Sequence, residues 1–433
     1  MPMPFRTRCL PTGVCALLLL VAAVDLPSAV KLTVEPDRKT SLYAVGETAT
    51  FTVRVTDDGR PVSTGSLSYI VNNFLDILVP RSQLELSAKG TTIPFKSTKA
   101  QFLSCVVTYS PATGKPVTAA SSVGFSALKI KPGLPVPDDF DQFWKAQKES
   151  LAREKMQVEM TPVTSTDPQV ESFDLQVSCL GDAPVSGYYS RPLRSSEKKH
   201  PAILWVHGAG VRGSSLGNSV NGAREGMLSL DINAHGLPNG KPKEFYAKQA
   251  RGPLANYRHA GRESRDTIYF RGMYLRIVRA IDFLAAQPQW DGRNVIVIGH
   301  SQGGGQALAA GGIDQRVTAI ATGVPALCDH GGRETGQING WPKIVPYDGN
   351  GQPNKKVLQA SRYIDAVNFA SRCKAKAIMS VGFADSVCPP SSCYAAFNLL
   401  QGEKTIINEP KMGHAAPAHI KKAFLEFAKR SVK

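Results

Sequence analysis

A serine in a G-x-S-x-G pattern has the surroundings expected of a catalytic nucleophile. Ser301 lies between Gly299 and Gly303 in the segment GHSQGGG, directly after the apolar run Asn294–Ile298. A serine on such a sharp strand-to-helix turn exposes its hydroxyl, and the flanking glycines avoid clashes within the turn. The Ala-rich segment Gln306–Ala310 is predicted to be helical, and the positive end of that helix would face a developing oxyanion. The pattern predicts a nucleophilic serine at Ser301.

The same pattern occurs a second time, and its context is different. Ser215 lies in GSSLG at residues 213–217, after a polar loop and before Gly217-Asn218-Ser219. No apolar strand leads into it, whereas a nucleophile of this kind follows a buried strand. We therefore predict that Ser215 is a loop serine.

A serine hydroxyl needs a base to remove its proton and a carboxylate to orient that base. In α/β hydrolases these groups follow the serine in the order acid, then histidine. Asp385 comes just after the apolar run Ala377–Val381, and His414 comes just after the short run Thr405–Asn408. Both residues therefore lie past the carboxyl end of a predicted strand, where open parallel sheets place their catalysis. We predict a triad of Ser301, Asp385 and His414.

Several residues compete for these roles. Asp329 is an alternative to the acid, and its neighbour His330 is a candidate lining residue of the cleft. His419 falls on the predicted last helix, Ala418–Phe427, and is expected at the surface. His300 precedes the nucleophile, so its side chain should point away from the reacting centre.

The oxyanion of an acyl transfer needs at least two hydrogen-bond donors. One is expected to be the backbone N–H of Gln302, which follows the nucleophile. The other is expected from the Gly208–Ala209 backbone in His207-Gly-Ala-Gly210, directly after the predicted strand Ala202–Val206. Loops that begin His-Gly have this role in esterases.

Short apolar runs alternate with helical patterns from Pro201 onward. A helix is predicted over Gly272–Ala286 because its apolar residues recur at helical spacing. Buried strands joined by helices require a parallel sheet that is covered on both faces. We predict an α/β fold of the α/β-hydrolase type with a doubly wound, mostly parallel sheet. Its remaining strands are predicted at Ser229–Asn233, Asn294–Ile298, Val317–Thr322, Ala377–Val381 and Thr405–Asn408.

The segment before this domain has the pattern of β-structure. Apolar and polar residues alternate from Phe51 to Thr56, and other short strand candidates follow at turn-like spacing. We predict a small Ig-like β-sandwich over residues 30–128, either a packing or spacer module or a carbohydrate-binding one. A Pro-rich linker is predicted over 129–137 and the catalytic domain over 138–433. Asp138 or Asp139 is expected to cap a helix that begins near Phe140.

The first 29 residues have the features of a secretory signal peptide. Arg6 and Arg8 precede the apolar run Val14–Val24, and small residues follow near Ala23 and Ala29. This run is short for a membrane span, which needs about 20 residues, so an uncleaved anchor is the weaker alternative. We predict a secreted or periplasmic protein without stable membrane insertion.

Export would permit disulfides among the six cysteines after residue 29, but the sequence does not choose their pairing. No Cys or His spacing is typical of a structural zinc site, so no metal is predicted. The net charge of +16 is compatible with an anionic polysaccharide. Because we find no long basic run and no nucleic-acid motif, we predict a generally basic surface and no nucleic-acid partner.

From Pro137 onward the chain resembles the acetyl xylan esterase and cephalosporin C deacetylase family of carbohydrate esterases. The resemblance rests on several motifs in order, and they are PDDFDQFW at 137–144, VHGAG at 206–210, GHSQGGG at 299–305, VPALCDH at 324–330, VGFADSVCPP at 381–390 and GH at 413–414. It implies deacetylation of acetylated oligo- or polysaccharides through an acyl-serine intermediate, without a cofactor. The oligomeric state stays open.

Three positions depart from the family's pattern. Ala209 replaces a Tyr in the oxyanion loop, Ala234-His235-Gly236 replaces an Arg-Gly-Gln motif, and Ala415 replaces the Glu after the histidine. These changes put acetyl specificity and the family's ring-like oligomer in doubt.

Another ester or a peptide is an alternative substrate, and a carbohydrate-binding protein with a vestigial site is a third hypothesis. Gly236–Tyr257 and Gly331–Pro353 are predicted to be lids.

Overall fold

The computed structural model describes Met1 and residues 30–181, 183–193 and 198–432. The segment interpreted as a signal peptide, residues 1–29, lies outside the described residues apart from Met1. Among the described residues, no helix combines the length and the apolar character needed to cross a lipid bilayer.

Residues 30–125 form two β-sheets that face each other. In the strand Thr48–Asp57 every second side chain from Ala49 to Val55 is buried, as the alternation of this segment predicts. The strands are β1 Val30–Pro36, β2 Leu42–Tyr43, β3 Thr48–Asp57, β4 Arg60–Pro61, β5 Ser66–Asn72, β6 Ile77–Leu84, β7 Thr91–Lys96, β8 Gln101–Ser110 and β9 Val117–Phe125. Strand β3 pairs with β1, β4 and β7 in one sheet, and the other sheet has the order β2-β9-β8-β5-β6.

A larger mixed sheet carries the candidate catalytic residues. Its strands are β10 Val158–Val163, β11 Val170–Val177, β12 Val185–Pro192, β13 His200–Val206, β14 Leu228–Ile232, β15 Trp290–His300, β16 Val317–Gly323, β17 Lys376–Gly382 and β18 Lys404–Glu409. Their order is β10-β11-β12-β14-β13-β15-β16-β17-β18. The strands from β14 to β18 pair in parallel, whereas β10, β11 and β12 are antiparallel to their neighbours. The predicted parallel strands are present, and β10 to β12 were not predicted.

Helices cover both faces of this sheet because its central strands are apolar on both sides. Ile203 and Ile296 pack with Phe424 on one face, whereas their neighbours Leu204 and Val297 belong to the core on the other face. The described helices are α1 Phe140–Arg153, α2 Leu216–Arg224, α3 Lys243–Arg251, α4 Tyr269–Ala285, α5 Gln302–Ile313, α6 Lys355–Ser361, α7 Ala366–Ala370, α8 Pro390–Leu399 and α9 Ala418–Ser431. The helix predicted at 272–286 is α4, which begins three residues earlier.

The start of α1 differs from the prediction in one respect. Asp139 occupies the N-cap position, but its carboxylate makes no capping hydrogen bond. It instead accepts hydrogen bonds from the Tyr363 hydroxyl and the Arg265 guanidinium. The carboxylate oxygens of Asp139 therefore bind these two donors, which are distant in sequence, and not the backbone N–H groups of the first turn of α1.

The sandwich packs directly on the larger unit. Phe102 of β8 contacts the rings of Phe383 and Tyr394, with ring centroids 4.9 and 5.4 Å apart. The Asn398 amide donates to the carbonyls of Ala127 and Ile130, just after the sandwich, at 3.0 and 2.8 Å. These contacts show that the β-segment packs on the hydrolase unit, and whether it also binds carbohydrate stays a prediction.

The cysteines do not form cross-links in the described residues. All six, Cys105, Cys179, Cys328, Cys373, Cys388 and Cys393, carry free thiols and are buried. They therefore act as small apolar side chains of the core.

Candidate active site

The turn between β15 and α5 holds Ser301 in a strained conformation. Its φ of 58° and ψ of −123° are rare for a residue with a side chain. A Cβ atom at Gly299 would lie 2.2 Å from the carbonyl oxygen of Gly303, and one at Gly303 would lie 2.3 Å from that of Val206. These two glycines are required because the strand, the turn and the neighbouring strand β13 pack backbone against backbone.

Ser301, His414 and Asp385 form one hydrogen-bonded chain. The Ser301 Oγ lies 2.9 Å from His414 Nε2, and His414 Nδ1 lies 2.8 Å from Asp385 Oδ2. An ionised carboxylate only accepts hydrogen bonds, so Nδ1 carries the proton and Nε2 is left to accept from the serine hydroxyl. This tautomer is the one a general base needs.

The carboxylate of Asp385 is held on its other oxygen as well. The backbone N–H groups of Val387 and Cys388 donate to Oδ1 at 2.8 and 2.9 Å. The side chain has no exposed surface, and its oxygens are nevertheless satisfied. Asp385 thus lies in a fixed position after β17, while His414 reaches it from the loop after β18.

The competing acid and histidines lie elsewhere. Asp329 Oδ1 accepts from the N–H of Gly133 at 2.8 Å and makes no contact with His414. Burial, reinforced by the neighbouring Asp365, raises the pKa of Asp329 to about 7. His330 is also buried, which lowers its pKa to about 3.

The two remaining histidines lie as the sequence predicts. His300 stacks on Phe424 with ring centroids 4.9 Å apart, so its ring faces α9 and not the reacting centre. His419 is largely exposed and pairs with Glu409 at 2.7 Å. Neither histidine takes part in the hydrogen-bonded chain of Ser301.

Ser215 has a structural task that the sequence did not indicate. It is the N-cap of α2, and its Oγ accepts from the backbone N–H of Asn218 at 3.2 Å. It lies at the junction of a loop and a helix and not on a strand-to-helix elbow, so its G-x-S-x-G match has no catalytic geometry.

The loop after β13 is held by side chains that bind its carbonyl oxygens. Gln306 Nε2 donates to the carbonyl of His207 at 3.2 Å. Arg212 donates to the carbonyls of Gly208 and Ala209 at 3.2 and 3.1 Å. In the described part of the chain, the N–H groups of Gly208 and Ala209 have no protein acceptor.

His235 holds the carbonyl of the next residue of this loop, Gly210. Its Nε2 lies 3.2 Å from the carbonyl oxygen of Gly210, and its Nδ1 lies 2.7 Å from the hydroxyl of Tyr269. A carbonyl only accepts, so Nε2 carries the proton and Nδ1 accepts from the tyrosine. Burial lowers the pKa of His235 to about 4, which keeps the ring neutral in this arrangement near neutral pH.

The loop lies directly against the nucleophile. A Cβ atom added at Gly208 would lie 3.4 Å from the Cβ of Ser301 and 3.2 Å from the carbonyl of His300. Gln302 is the first residue of α5, and a backbone N–H in the first turn of a helix has no partner within the helix. The Gln302 side chain is anchored by the Tyr257 hydroxyl, which donates to its Oε1 at 2.9 Å.

One group of potential metal ligands occurs in the part of the chain that the structure describes. The ligand atoms of Asp385, Cys388 and His414 all lie within 4.8 Å of one another. Burial raises the pKa of the Cys388 thiol well above its usual range, and a protonated thiol is a poor metal ligand. Asp385 and His414 already bind each other, so the set is better suited to proton transfer than to a resident ion.

Sequence reasoning missed the residues that hold the loop after β13. Gln306 lies four residues after Gln302, and this spacing could have indicated that both side chains are on one face of α5. Tyr257 comes at the end of the predicted lid segment 236–257 and reaches the site from there. Arg212 and His235 bind backbone carbonyls, and no local pattern marks such contacts.

Comparisons with known proteins agree on one family. Residues 127–431 match the model of the acetyl xylan esterase (AXE1) family. The curated acetyl esterase Axe7A of Xylanibacter ruminicola is 31% identical over 315 residues, which cover 72% of this chain and 71% of that protein.

Solved structures give the same result. The acetyl xylan esterase from Paenibacillus sp. R4 has a TM-score of 0.60 and 26% identity, covering 71% of this chain and 98% of its own. Acetyl xylan esterase 1 from Thermoanaerobacterium sp. JW/SL YS485 has a TM-score of 0.60 at 24% identity, with the same coverage, and supports the α/β-hydrolase fold. The family match spans most of the chain and includes Ser301, Asp385, His414 and the loop after β13. This chain therefore belongs to the acetyl xylan esterase family and is a carboxylic ester hydrolase.

Proposed function

We propose that this enzyme removes acetyl or similar small acyl groups from carbohydrate, with Ser301 as nucleophile, His414 as general base and Asp385 as the orienting acid. The observation that carries this proposal is the continuous hydrogen-bonded chain from Asp385 through His414 to Ser301, at 2.8 and 2.9 Å. His414 takes the hydroxyl proton as Ser301 attacks the ester carbonyl. The imidazolium that forms is stabilised by the buried Asp385 carboxylate.

The negative charge on the carbonyl oxygen is stabilised by backbone donors. The N–H of Gln302 supplies one, and the Gly208–Ala209 backbone supplies the other. Each donor of this kind contributes on the order of 3 kcal/mol to the transition state. The donors are preorganised by the side chains that hold the loop carbonyls, so they need no reorganisation when the charge appears.

Collapse of the tetrahedral intermediate breaks the bond to the sugar oxygen. His414 gives its proton to that oxygen, which leaves as a sugar hydroxyl, and Ser301 keeps the acyl group as an ester. Water then attacks this acyl-serine, with His414 again as base, and the acid is released. The mechanism needs no cofactor, because every proton passes between His414, Ser301, the sugar oxygen and water.

The substrate class rests on the family and on the fold. Family membership, together with a curated acetyl esterase that is 31% identical, supports an acetylated oligo- or polysaccharide. The same triad geometry serves peptide cleavage and the hydrolysis of other esters. We retain these as alternative substrates, whereas membership of a family of ester hydrolases counts against a carbohydrate-binding protein without turnover.

The test is acetate release from acetylated xylan by the wild type and by Ser301→Ala. We expect release by the wild type alone. Ser215→Ala is the matched control, since it removes the other serine in a G-x-S-x-G pattern and should keep its activity. Full activity in Ser301→Ala would refute the nucleophile. Cleavage of p-nitrophenyl acetate without acetate release from xylan would refute the carbohydrate substrate but keep the chemistry.

The proposal extends to location and organisation. The basic start and short apolar run of residues 1–29 support a signal peptide and a secreted or periplasmic enzyme. The enzyme then consists of a β-sandwich domain at 30–128, a linker at 129–137 and the hydrolase domain at 138–433. N-terminal sequencing of the exported protein would test the first boundary, and a mature chain that still begins at Met1 would refute cleavage.

A further inference from the structure

A cavity of about 510 Å³ lies beside the oxyanion loop, between α2 and α9. His207 and Gly208 line it, so it shares two residues with the loop that lies against Ser301. Its base is formed by the ends of β13 and β15, through Trp205 and Ile298. The volume falls within the range of small-molecule sites, about 300–1,000 Å³. The mechanism derived above uses Gly208 and Arg212 of its wall but places no ligand in the cavity itself.

The charged residues that line the cavity are all cationic. Arg212, Lys421 and Lys422 contribute to its wall, and no Asp or Glu is among the described residues that line it. None of the three cations forms an ion pair with any carboxylate in the described ranges. The nearest carboxylates along α2 and α9, Glu225 and Glu426, both pair with Lys429. Asp231, which accepts a hydrogen bond from the lining residue Asn218, lies close enough to Arg212 to interact with it, although burial raises the pKa of Asp231 to about 7. The uncompensated positive charge of the cavity therefore comes mainly from Lys421 and Lys422.

The rest of the lining suits a sugar ring. Trp205 and Leu425 supply apolar surface, and Asn221 supplies an amide. His207 contributes a ring that stays neutral near neutral pH, because burial lowers its pKa to about 3.

Two hydrogen-bonding atoms of this lining are unsatisfied. His207 Nε2 and His300 Nδ1 are buried and have no hydrogen-bond partner in the described part of the chain. A buried polar atom without a partner is costly, so a ligand hydroxyl that reached the His207 ring would relieve that cost. His300 Nδ1 packs against Gly323 and is not open to a ligand. A bare inorganic anion would use the cations but would leave the apolar surface uncovered.

We propose that this cavity binds a carboxylate-bearing sugar residue, a uronic acid, of the acetylated polysaccharide. Arg212, Lys421 and Lys422 face its carboxylate, and the apolar lining contacts its ring. The inference rests on the proposed function, because the uronic acid in the cavity belongs to the same polysaccharide as the sugar whose ester lies at Ser301. It assigns to the enzyme a preference for acetylated chains that carry acidic branches.

The test compares two substrates that differ in one charge. Acetylated xylo-oligosaccharides with a glucuronic acid branch are compared with the same material after reduction of the carboxyl to an alcohol. We expect the wild type to have a KM about fivefold lower for the acidic substrate, with kcat little changed. The preference should fall as ionic strength rises, since charges at an exposed rim are screened within about 3 Å at 1 M salt.

A double variant tests whether the preference for the acidic substrate depends on the two lysines of the cavity. Lys421→Gln/Lys422→Gln should bring the ratio of the two KM values close to one. The matched control is Lys355→Gln/Lys356→Gln, which removes two adjacent exposed lysines from α6, outside the cavity lining. This control should keep the wild-type ratio. Because the readout is a ratio within one variant, a general loss of activity does not imitate the expected result.

Three outcomes would overturn the inference. Equal KM values for the two substrates in the wild type would do so, and so would an unchanged ratio in the Lys421/Lys422 variant. Inhibition by inorganic phosphate that equals inhibition by free glucuronate would assign the cavity to simple anions. Hydrolysis of neutral acetyl esters in any of these cases leaves the proposed function intact, whereas absence of hydrolysis of every ester refutes the function itself.

Discussion

Replacing Asp385 by Asn tests the proton arrangement on which the mechanism depends. The substitution keeps the size of the side chain, and one oxygen can still accept from the N–H groups of Val387 and Cys388. The amide nitrogen then faces His414 Nδ1, which is 2.8 Å from the carboxylate in the wild type. An N–H donor at that place requires Nδ1 to accept, so the ring proton moves to Nε2, the atom 2.9 Å from Ser301 Oγ.

The size of the loss follows from this reversal. A protonated Nε2 cannot take the serine proton, and the imidazolium of the transition state also loses a buried carboxylate partner. Together these effects are expected to lower kcat by about 10⁴-fold. At about 1.4 kcal/mol for each factor of ten, this corresponds to roughly 5–6 kcal/mol of transition-state stabilisation. The side chain is fully buried, so solvent does not reduce the effect.

The assay is kcat for acetate release, measured together with thermal unfolding to confirm that the variant is folded. Asp329→Asn is the matched control, because it removes the competing acid and should keep kcat within a few-fold of the wild type. The reasoning is refuted if folded Asp385→Asn keeps more than about a tenth of wild-type kcat. It is equally refuted if Asp329→Asn loses as much activity as Asp385→Asn.

Three further predictions concern the supporting residues. Tyr257→Phe removes the donor to Gln302 and should lower kcat about tenfold at unchanged KM, as steady-state kinetics would measure; a rise in KM alone would contradict a role in the transition state. Ser215→Ala removes a helix cap and should lower the free energy of unfolding by about 1 kcal/mol with turnover unchanged, by denaturant titration; a loss of activity would count against its structural role. Because burial raises the pKa of Asp329 from its ordinary 3.8 to about 7 in the folded protein, the folded state holds a proton that the unfolded state has lost between about pH 4 and 7. Stability should therefore fall as pH rises through that window, and urea titrations of Asp329→Asn should show a smaller fall; an identical pH profile would refute the burial argument.

The sequence was sufficient to predict those parts of the site that depend on local chain geometry. The elbow at Ser301 needs glycines at two fixed positions and a buried strand before it, and both features can be read from the segment 294–305. The predicted acid and histidine follow apolar runs that proved to be β17 and β18. The structure then placed Asp385 and His414 in contact, as the order of strands in a parallel sheet requires.

Other features depend on contacts that no local pattern specifies. By contrast, β11 does have a local strand pattern, since Phe173, Leu175 and Val177 alternate with polar residues, and the prediction omitted it. The capping role predicted for Asp139 was lost to Tyr363, which is distant in sequence. For Asp139 the tertiary environment determined the outcome, and single-sequence reasoning cannot weigh it.

The contact between the sandwich and the hydrolase core has a consequence for how the enzyme loses activity. Phe102 packs on Phe383, two residues before Asp385, and Glu35 pairs with Lys411, three residues before His414, at 2.8 Å. The two catalytic loops thus share their packing with the N-terminal strands. Heating should therefore melt the two parts in one cooperative transition, and deletion of residues 30–125 would shorten the half-life of the enzyme although it removes no reacting group.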